Sequence, residues 1–317
     1  MKRALLLAAA ILAALSLMWD PLALRAVAAR DPALAQLILL ELRLPRTLLA
    51  LGIGGFLGLA GAAMQGLLRN PLASPDVTGA SAGAALGAVV VAYTVSTTST
   101  AHIAAGAVAG AGGALLLLQA LAGRGAATER LVLAGVAIAA LAGALTTLAL
   151  SLAPSPYALY DLLFWLMGSL ADRSLVHVAI AGPMLIAGSV LLLSTQRGLD
   201  ALALGEDVAG SLGHDVAKLR WRIIAGTALG VGGAVAVAGA IGFVGLVVPH
   251  LVRPLIGYRP GAALIPSALA GAVLLTAADL VVRIDLNGPE LKLGVVTALI
   301  GAPFFLLLIL RHRSGND

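Results

Sequence analysis

The stretch TLLALGIGGFLGLAGAAMQGLL at 47–68, followed by RNPLASPDVTG at 69–79, decides the architecture. A bilayer core of ~30 Å is crossed by about 20 helical residues, and the first part is that long without one charged side chain. Gly54, Gly58, Ala62 and Gly66 recur at helical spacing and let backbones approach closely, which is what drives helix association in lipid. These glycines hold a bundle together and identify no substrate. The second part ends the helix. Two prolines, an asparagine and a glycine stand where a simple turn needs about four residues, and broken backbone at the membrane face must be buried in protein or line water.

The same reading extends along the chain. Apolar runs near 4–19, 47–68, 77–94, 102–122, 131–150, 174–194, 223–240, 242–256, 261–282 and 291–310 give ten candidate spans, the eighth short and interrupted by Pro249. Of the 317 residues 60% are hydrophobic and 11% charged, with a mean hydropathy of +1.03, a balance that no water-exposed surface sustains. The expectation is an all-α polytopic membrane protein forming one domain over 1–317. No hydrophilic stretch is long enough for a catalytic or nucleotide-binding domain. The absence of cysteine excludes disulfides and thiolate chemistry. The net charge of +5 sits in short loops between apolar runs, so it reads as membrane topology and not as a nucleic-acid partner.

Basic residues place the loops. With the N-terminus inside, Lys2, Arg3, Arg124, Arg130, Arg197, Lys218, Arg220, Arg222, Arg311 and Arg313 fall on the cytoplasmic side, so both termini are expected in the cytoplasm. The apolar start then reads as an uncleaved first helix, against the competing reading of a secretory signal, because the spans pair into an even number. Arg25, Arg30, Arg43 and Arg46 cluster outside, in the loop before the second span. After Pro154-Ser155-Pro156 the residues 157–170 read as a short outer helix with Tyr157, Tyr160, Phe164 and Trp165, which either anchors in the interface or borders a cavity. Gly52-x-Gly54-Gly55 with Ala60-Gly61-Ala62 recurs as Gly230-x-Gly232-Gly233 with Ala238-Gly239-Ala240, five spans later. The two copies then run in opposite directions, as in an inverted repeat.

Four separated blocks together resemble the permeases of ferric-siderophore, haem and cobalamin ABC importers. They are Arg43-Leu44-Pro45-Arg46 through Gln65, Arg69-Asn70-Pro71-Leu72-Ala73-Ser74-Pro75 and Gly79; Leu204-Gly205-Glu206 with Ala209 and Leu212-Gly213; Gly239 through Pro249, His250 and Arg253; and Gly294 through Gly301, Ala302 and Pro303. The resemblance covers about 41–310. It implies ten helices, a homodimer with the path on its twofold axis, two cytoplasmic ATPase subunits and a soluble periplasmic binding protein, all at the bacterial inner membrane. It implies no cofactor on this chain, with ATP and magnesium held by the partner ATPase. The lack of a G-x-x-x-x-G-K-[ST] motif agrees, so the chain is read as a transport subunit and not itself an enzyme.

The resemblance also assigns roles. The loop 197–222 would couple to the ATPase, with Leu204, Val208 and Leu212 spaced by four as an apolar ridge around which Glu206, Asp207 and Asp215 supply charge. Arg43 and Arg46, and Arg283 before the last helix, would receive acidic residues of the binding protein, since a guanidinium grips a carboxylate with two hydrogen bonds. Gln65, Arg69, Asn70, Pro71, Pro75, Gly79, Pro249, His250, Arg253, Glu290, Gly301 and Pro303 are family-motif positions for structure or pathway. In Glu290-Leu291-Lys292-Leu293-Gly294 the chain departs from its relatives, which usually carry proline at Lys292, and this leaves the geometry before the last helix open.

Asp279 lies inside the ninth apolar run, where an ionised carboxylate costs ~2.5–3.5 kcal/mol on insertion scales, so it needs a partner. Arg283, one helical turn on, is the expected one, with a proton relay of a secondary transporter as the alternative. His177 and His250 lack clustered ligands and read as structural. An intramembrane hydrolase would need a nucleophile paired with a base, or a metal site, and is set aside on the expectation that no such pattern occurs. The cargo is expected to be an iron chelate or haem, with cobalamin or an oxyanion as the alternative in the same family.

Overall fold

The computed structural model describes residues 1–94, 99–122, 128–153, 155–284 and 290–313. Arg124 and Pro154, and the side chains of Arg311 and Arg313, lie outside the described residues. Helices follow one another as α1 (Lys2–Leu17), α2 (Pro21–Arg30), α3 (Pro32–Leu37), α4 (Leu44–Leu67), α5 (Ala80–Thr94), α6 (Thr100–Ala122), α7 (Thr128–Ser151), α8 (Pro156–Leu166), α9 (Leu175–Leu193), α10 (Gln196–Leu202), α11 (Glu206–Ser211), α12 (Val216–Ala238), α13 (Val244–Val252), α14 (Pro260–Val282) and α15 (Leu293–Arg313). No strand occurs among the described residues.

Six helical stretches have the length and apolarity to cross a membrane: Pro32–Leu67, Thr100–Leu121, Arg130–Ser151, Leu175–Leu193, Val216–Ala238 and Pro260–Val282. The remaining four runs form α1 and the shorter apolar helices Ala80–Tyr93, Val244–Ile256 and Leu293–Phe304. Glycine contacts fix their directions. Gly54 meets Gly271 and Gly58 meets Ser267, so α4 and α14 are antiparallel; Gly83 with Gly110 and Gly87 with Gly106 make α5 and α6 antiparallel. Gly52 meets Leu185 and Gly188 meets Phe56, so α4 and α9 are parallel, whereas Gly188 with Gly226 and Gly233 with Met184 oppose α9 to α12. It follows that α4 and α12, the two copies of the glycine motif, run oppositely, and every direction matches a chain threading the bilayer in alternating passes. The Phe56 ring bolts these two helices, since a Cβ on Gly230 would lie 2.1 Å from it.

The eighth span differs from expectation. Pro249 does not interrupt it: α13 runs through Pro249, and the break lies earlier, where Gly239 and Phe243 take left-handed φ of 70° and 66°. Proline lacks the N–H that would have bonded the Gly245 carbonyl. That carbonyl points at α4, where a Cβ on Gly61 would lie 1.8 Å from it. Gly61→Ala is therefore expected to cost ~1–3 kcal/mol as overpacking, read as a lower unfolding temperature in detergent. Gly143→Ala, with nothing within 4 Å of the added carbon, is the neutral comparison.

The segment before α4, expected as a loop, is helical. Residues 21–43 form α2, α3 and a π turn over Ile38–Arg43 that runs straight into α4. Asp31 Oδ1 accepts from the Ala33 and Leu34 N–H groups and starts α3. Pro45 cannot donate to Glu41, and Leu44 N–H bonds Leu39 five residues back, which widens the turn. α1 is part of the bundle: Ser16, fully buried, shares a 2.6 Å hydrogen bond with Thr47 on α4.

Candidate functional site

Three places gather the sequence-predicted residues. On the loop 197–222, Gly205 and Gly213 adopt φ of 118° and 82°, conformations that L side chains rarely take, and they bracket α11. Ala209 is the buried foot of this helix, and Glu206 ties it to α12 through a 2.5 Å ion pair with Arg220. The opposite side is bare: Leu204 is 67% exposed, Val208 41% and Leu212 60%. All three residues of the four-residue spacing are exposed, but they share no one helix: only Val208 lies on α11, Leu204 precedes Gly205 and Leu212 follows the last turn. Asp215 caps α12; the Lys218 backbone N–H and then its ammonium hold the carboxyl below the usual range. Asp200, which the sequence reading passed over, pins α10 to the start of α14 by accepting from Gly261 N–H at 2.8 Å and Arg259 at 3.1 Å.

At the other end, the arginines expected to dock a partner are already engaged. Arg46 Nε donates to both Asp279 oxygens at 3.0 and 3.1 Å, and its Nη2 reaches Asp279 at 2.9 Å and also Glu290. Arg283 donates from Nε and Nη2 to Asp279 Oδ2 at 3.0 and 2.5 Å and to the Ser16 carbonyl and hydroxyl at 2.9 Å. Arg43 Nη1 bonds the Leu17 carbonyl at 3.1 Å. The expected Asp279 to Arg283 pair is present, and Arg46 joins it from across the bundle, a partner that no local spacing reveals.

Between these ends, the helix break at 69–79 meets the break at 239–243. Asn70 Oδ1 accepts from Leu72 N–H at 2.9 Å, Arg69 takes a left-handed φ of 47°, and the exposed Pro71 and buried Pro75 complete the turn. Gln65, buried, donates to the Leu246 carbonyl at 3.4 Å. Gly79 has φ 81° and faces Ile138, where a Cβ would lie at 2.8 Å. Asp76, unassigned in the sequence reading, bonds Ser81 and accepts from Phe243 N–H at 3.1 Å, holding the left-handed residue in place. The Phe243 side chain fills the space that Gly301 leaves, 2.3 Å from where a Cβ would be. Ser74, Asp76, Ser81, Val136, Ala240 and Phe243 are among the residues lining a cavity of about 640 Å³.

Gly79-Ala80-Ser81-Ala82-Gly83 does match G-x-S-x-G, which corrects the expectation that no such pattern occurs. It lies at a turn into α5 with no preceding strand, Ser81 bonds Asp76, and no histidine lines the cavity, so the setting of a nucleophile elbow is missing.

The short helix α8 borders the cavity and leaves its aromatic side chains open. Tyr157, Tyr160 and Phe164 are exposed, while the Trp165 carbonyl lies 2.0 Å from where a Gly239 Cβ would be, against the break that lines the cavity. Lys292 is not a free cation: its ammonium stands 5.4 Å above the Phe164 ring. His250 makes an edge contact with Phe304 at 6.0 Å, and His177 completes a capping box with Ser174. Arg253 opens a 3-10 turn after α13, and Pro303 lies within α15.

A family model described as the FecCD transport family matches residues 4–311. The chain is 44% identical over 286 residues to the vitamin B12 import system permease protein BtuC of Vibrio cholerae serotype O1, covering 89% of this chain and 85% of that protein. It is 42% identical over 278 residues to the Fe(3+) dicitrate transport system permease protein FecD of Escherichia coli K12, covering 87% and 86%. A solved structure described as an inward-facing conformation of a metal-chelate type ABC transporter superposes with a TM-score of 0.84 at 31% identity over 98% of each chain.

Proposed function

Because the chain belongs to the FecCD transport family from residue 4 to 311, we propose that it is the permease of an ATP-driven importer that carries a ferric siderophore or haem across the bacterial inner membrane by alternating access. The observation that carries this reading is the exposed apolar set Leu204, Val208 and Leu212 on and beside α11, a segment rooted by the buried Ala209 and suited to seating in another protein. In this reading two copies of the chain enclose the path between their α7 and α15 helices, and each grips a cytoplasmic ATPase subunit through α11. Both termini are cytoplasmic. A periplasmic binding protein delivers cargo to the end that holds Arg43, Arg46 and Arg283. ATP and magnesium stay on the ATPase, and this chain binds no cofactor.

Cobalamin is the second reading, favoured by the 44% identity to a vitamin B12 permease. The test is reconstitution in liposomes with the ATPase and binding protein encoded beside this chain, using a labelled ferric siderophore, haem and cobalamin in turn. ATP-dependent uptake of the iron chelate or haem is the expected result. Uptake of cobalamin alone selects the second reading, and uptake without the ATPase overturns both in favour of an ion-coupled transporter.

A further inference from the structure

The charge balance around Arg46 leaves no room for a further carboxylate. Among the described residues two guanidiniums, Arg46 and Arg283, face two carboxylates, Asp279 and Glu290, and these four groups balance. A carboxylate brought by a docking protein adds a third negative group to two positive ones, so one resident must leave. Asp279 is fully buried and held by both arginines, whereas Glu290 is 35% exposed, makes one bond to Arg46 and sits on the irregular stretch before α15. Buried pairs are costly to break and half-exposed ones are not.

Resting on the importer reading, we infer that Glu290 is an internal stand-in for the acidic group of the binding protein: docking replaces Glu290 on Arg46, and the released stretch carries that event to α15. The path of transmission is short. Leu293 is buried, and Gly294 is pressed so tightly that a Cβ there would lie 2.4 Å from the Met167 carbonyl and 2.6 Å from the Ala240 carbonyl. Gly294 N–H also bonds the Gly168 carbonyl at 3.4 Å. A pull at Glu290 therefore bears on the end of α8 and on the helix break that lines the cavity, with Lys292 and Phe164 as the intervening contact.

The experiment compares Glu290→Gln, Arg46→Glu and the parent in the assembled importer in nanodiscs, measuring affinity for the binding protein encoded beside this chain and ATP hydrolysis without it. Removing the internal competitor in Glu290→Gln should tighten docking about two- to fivefold, the scale of a partly exposed ion pair, and raise the hydrolysis that occurs without binding protein. Arg46→Glu should weaken docking. Unchanged or weaker docking in Glu290→Gln, while Arg46→Glu still weakens it, overturns the exchange and leaves the importer reading standing; no docking to the parent at all overturns the importer reading itself. A second measurement avoids any folding defect. The chain has no cysteine, so a nitroxide on Leu291→Cys reports one site, and its mobility should rise when the binding protein is added. Unaltered mobility on docking overturns the exchange.

Discussion

Asp279→Ala should lower stability by ~3–5 kcal/mol, because it leaves Arg283 in the protein interior with no carboxylate and Arg46 with Glu290 alone. Asp279 is fully buried on α14; it ties Arg46 of α4 and Arg283 at its own helix end into one cluster, and Arg283 continues to Ser16 of α1. Three helices therefore lose their common partner at once. Thermal unfolding in detergent checks the loss. The size of the effect comes from the uncompensated charge and not from the worth of the pair, so a triple Arg46→Met, Asp279→Leu, Arg283→Met variant should regain most of the stability. Glu290 is partly hydrated and tolerates the loss of Arg46 in that variant. A triple variant as unstable as Asp279→Ala would show that the ion cluster itself holds the bundle.

A Leu204→Glu, Leu212→Glu double variant should fold normally and lose transport. Burying a leucine side chain contributes ~1.5–3 kcal/mol, so removing two from a docked surface weakens association by ~3–6 kcal/mol, or on the order of a hundredfold or more. Both side chains are uncovered in this chain, so their replacement removes no internal contact of the ridge face. Co-purification with the ATPase subunit reads the effect, and an unchanged unfolding temperature confirms that the fold is intact. Retained association with the ATPase would place the coupling contact elsewhere on 197–222.

Most of the architecture was legible because lipid imposes it: every span must be long and apolar, and Arg283 one turn from Asp279 is a local relation. The spacing of 204, 208 and 212 is local too, yet only Val208 falls on α11, because Leu204 precedes the left-handed Gly205 and Leu212 follows the last turn. The remaining features depend on partners far apart in sequence. Arg46 reads as an outward docking group until Asp279, 233 positions away, is placed beside it. Pro249 is the obvious breaker of the eighth span, yet the break falls at Gly239 and Phe243, because Asp76 from another loop binds the Phe243 amide and Gly61 accommodates the carbonyl that proline leaves free. The helices over 21–43 were missed because their charges and short length resemble a loop, and Asp31, the local signal that could have found α3, was not weighed.

Phe243 and Gly301 compete for one volume. Descendants of this chain can enlarge one only by shrinking the other, so drift at either site should appear as paired change across lineages. A Phe243→Ala, Gly301→Leu swap would shift bulk from one side chain to its neighbour at nearly constant volume and reshape the cavity wall at Phe243 without redrawing the bundle.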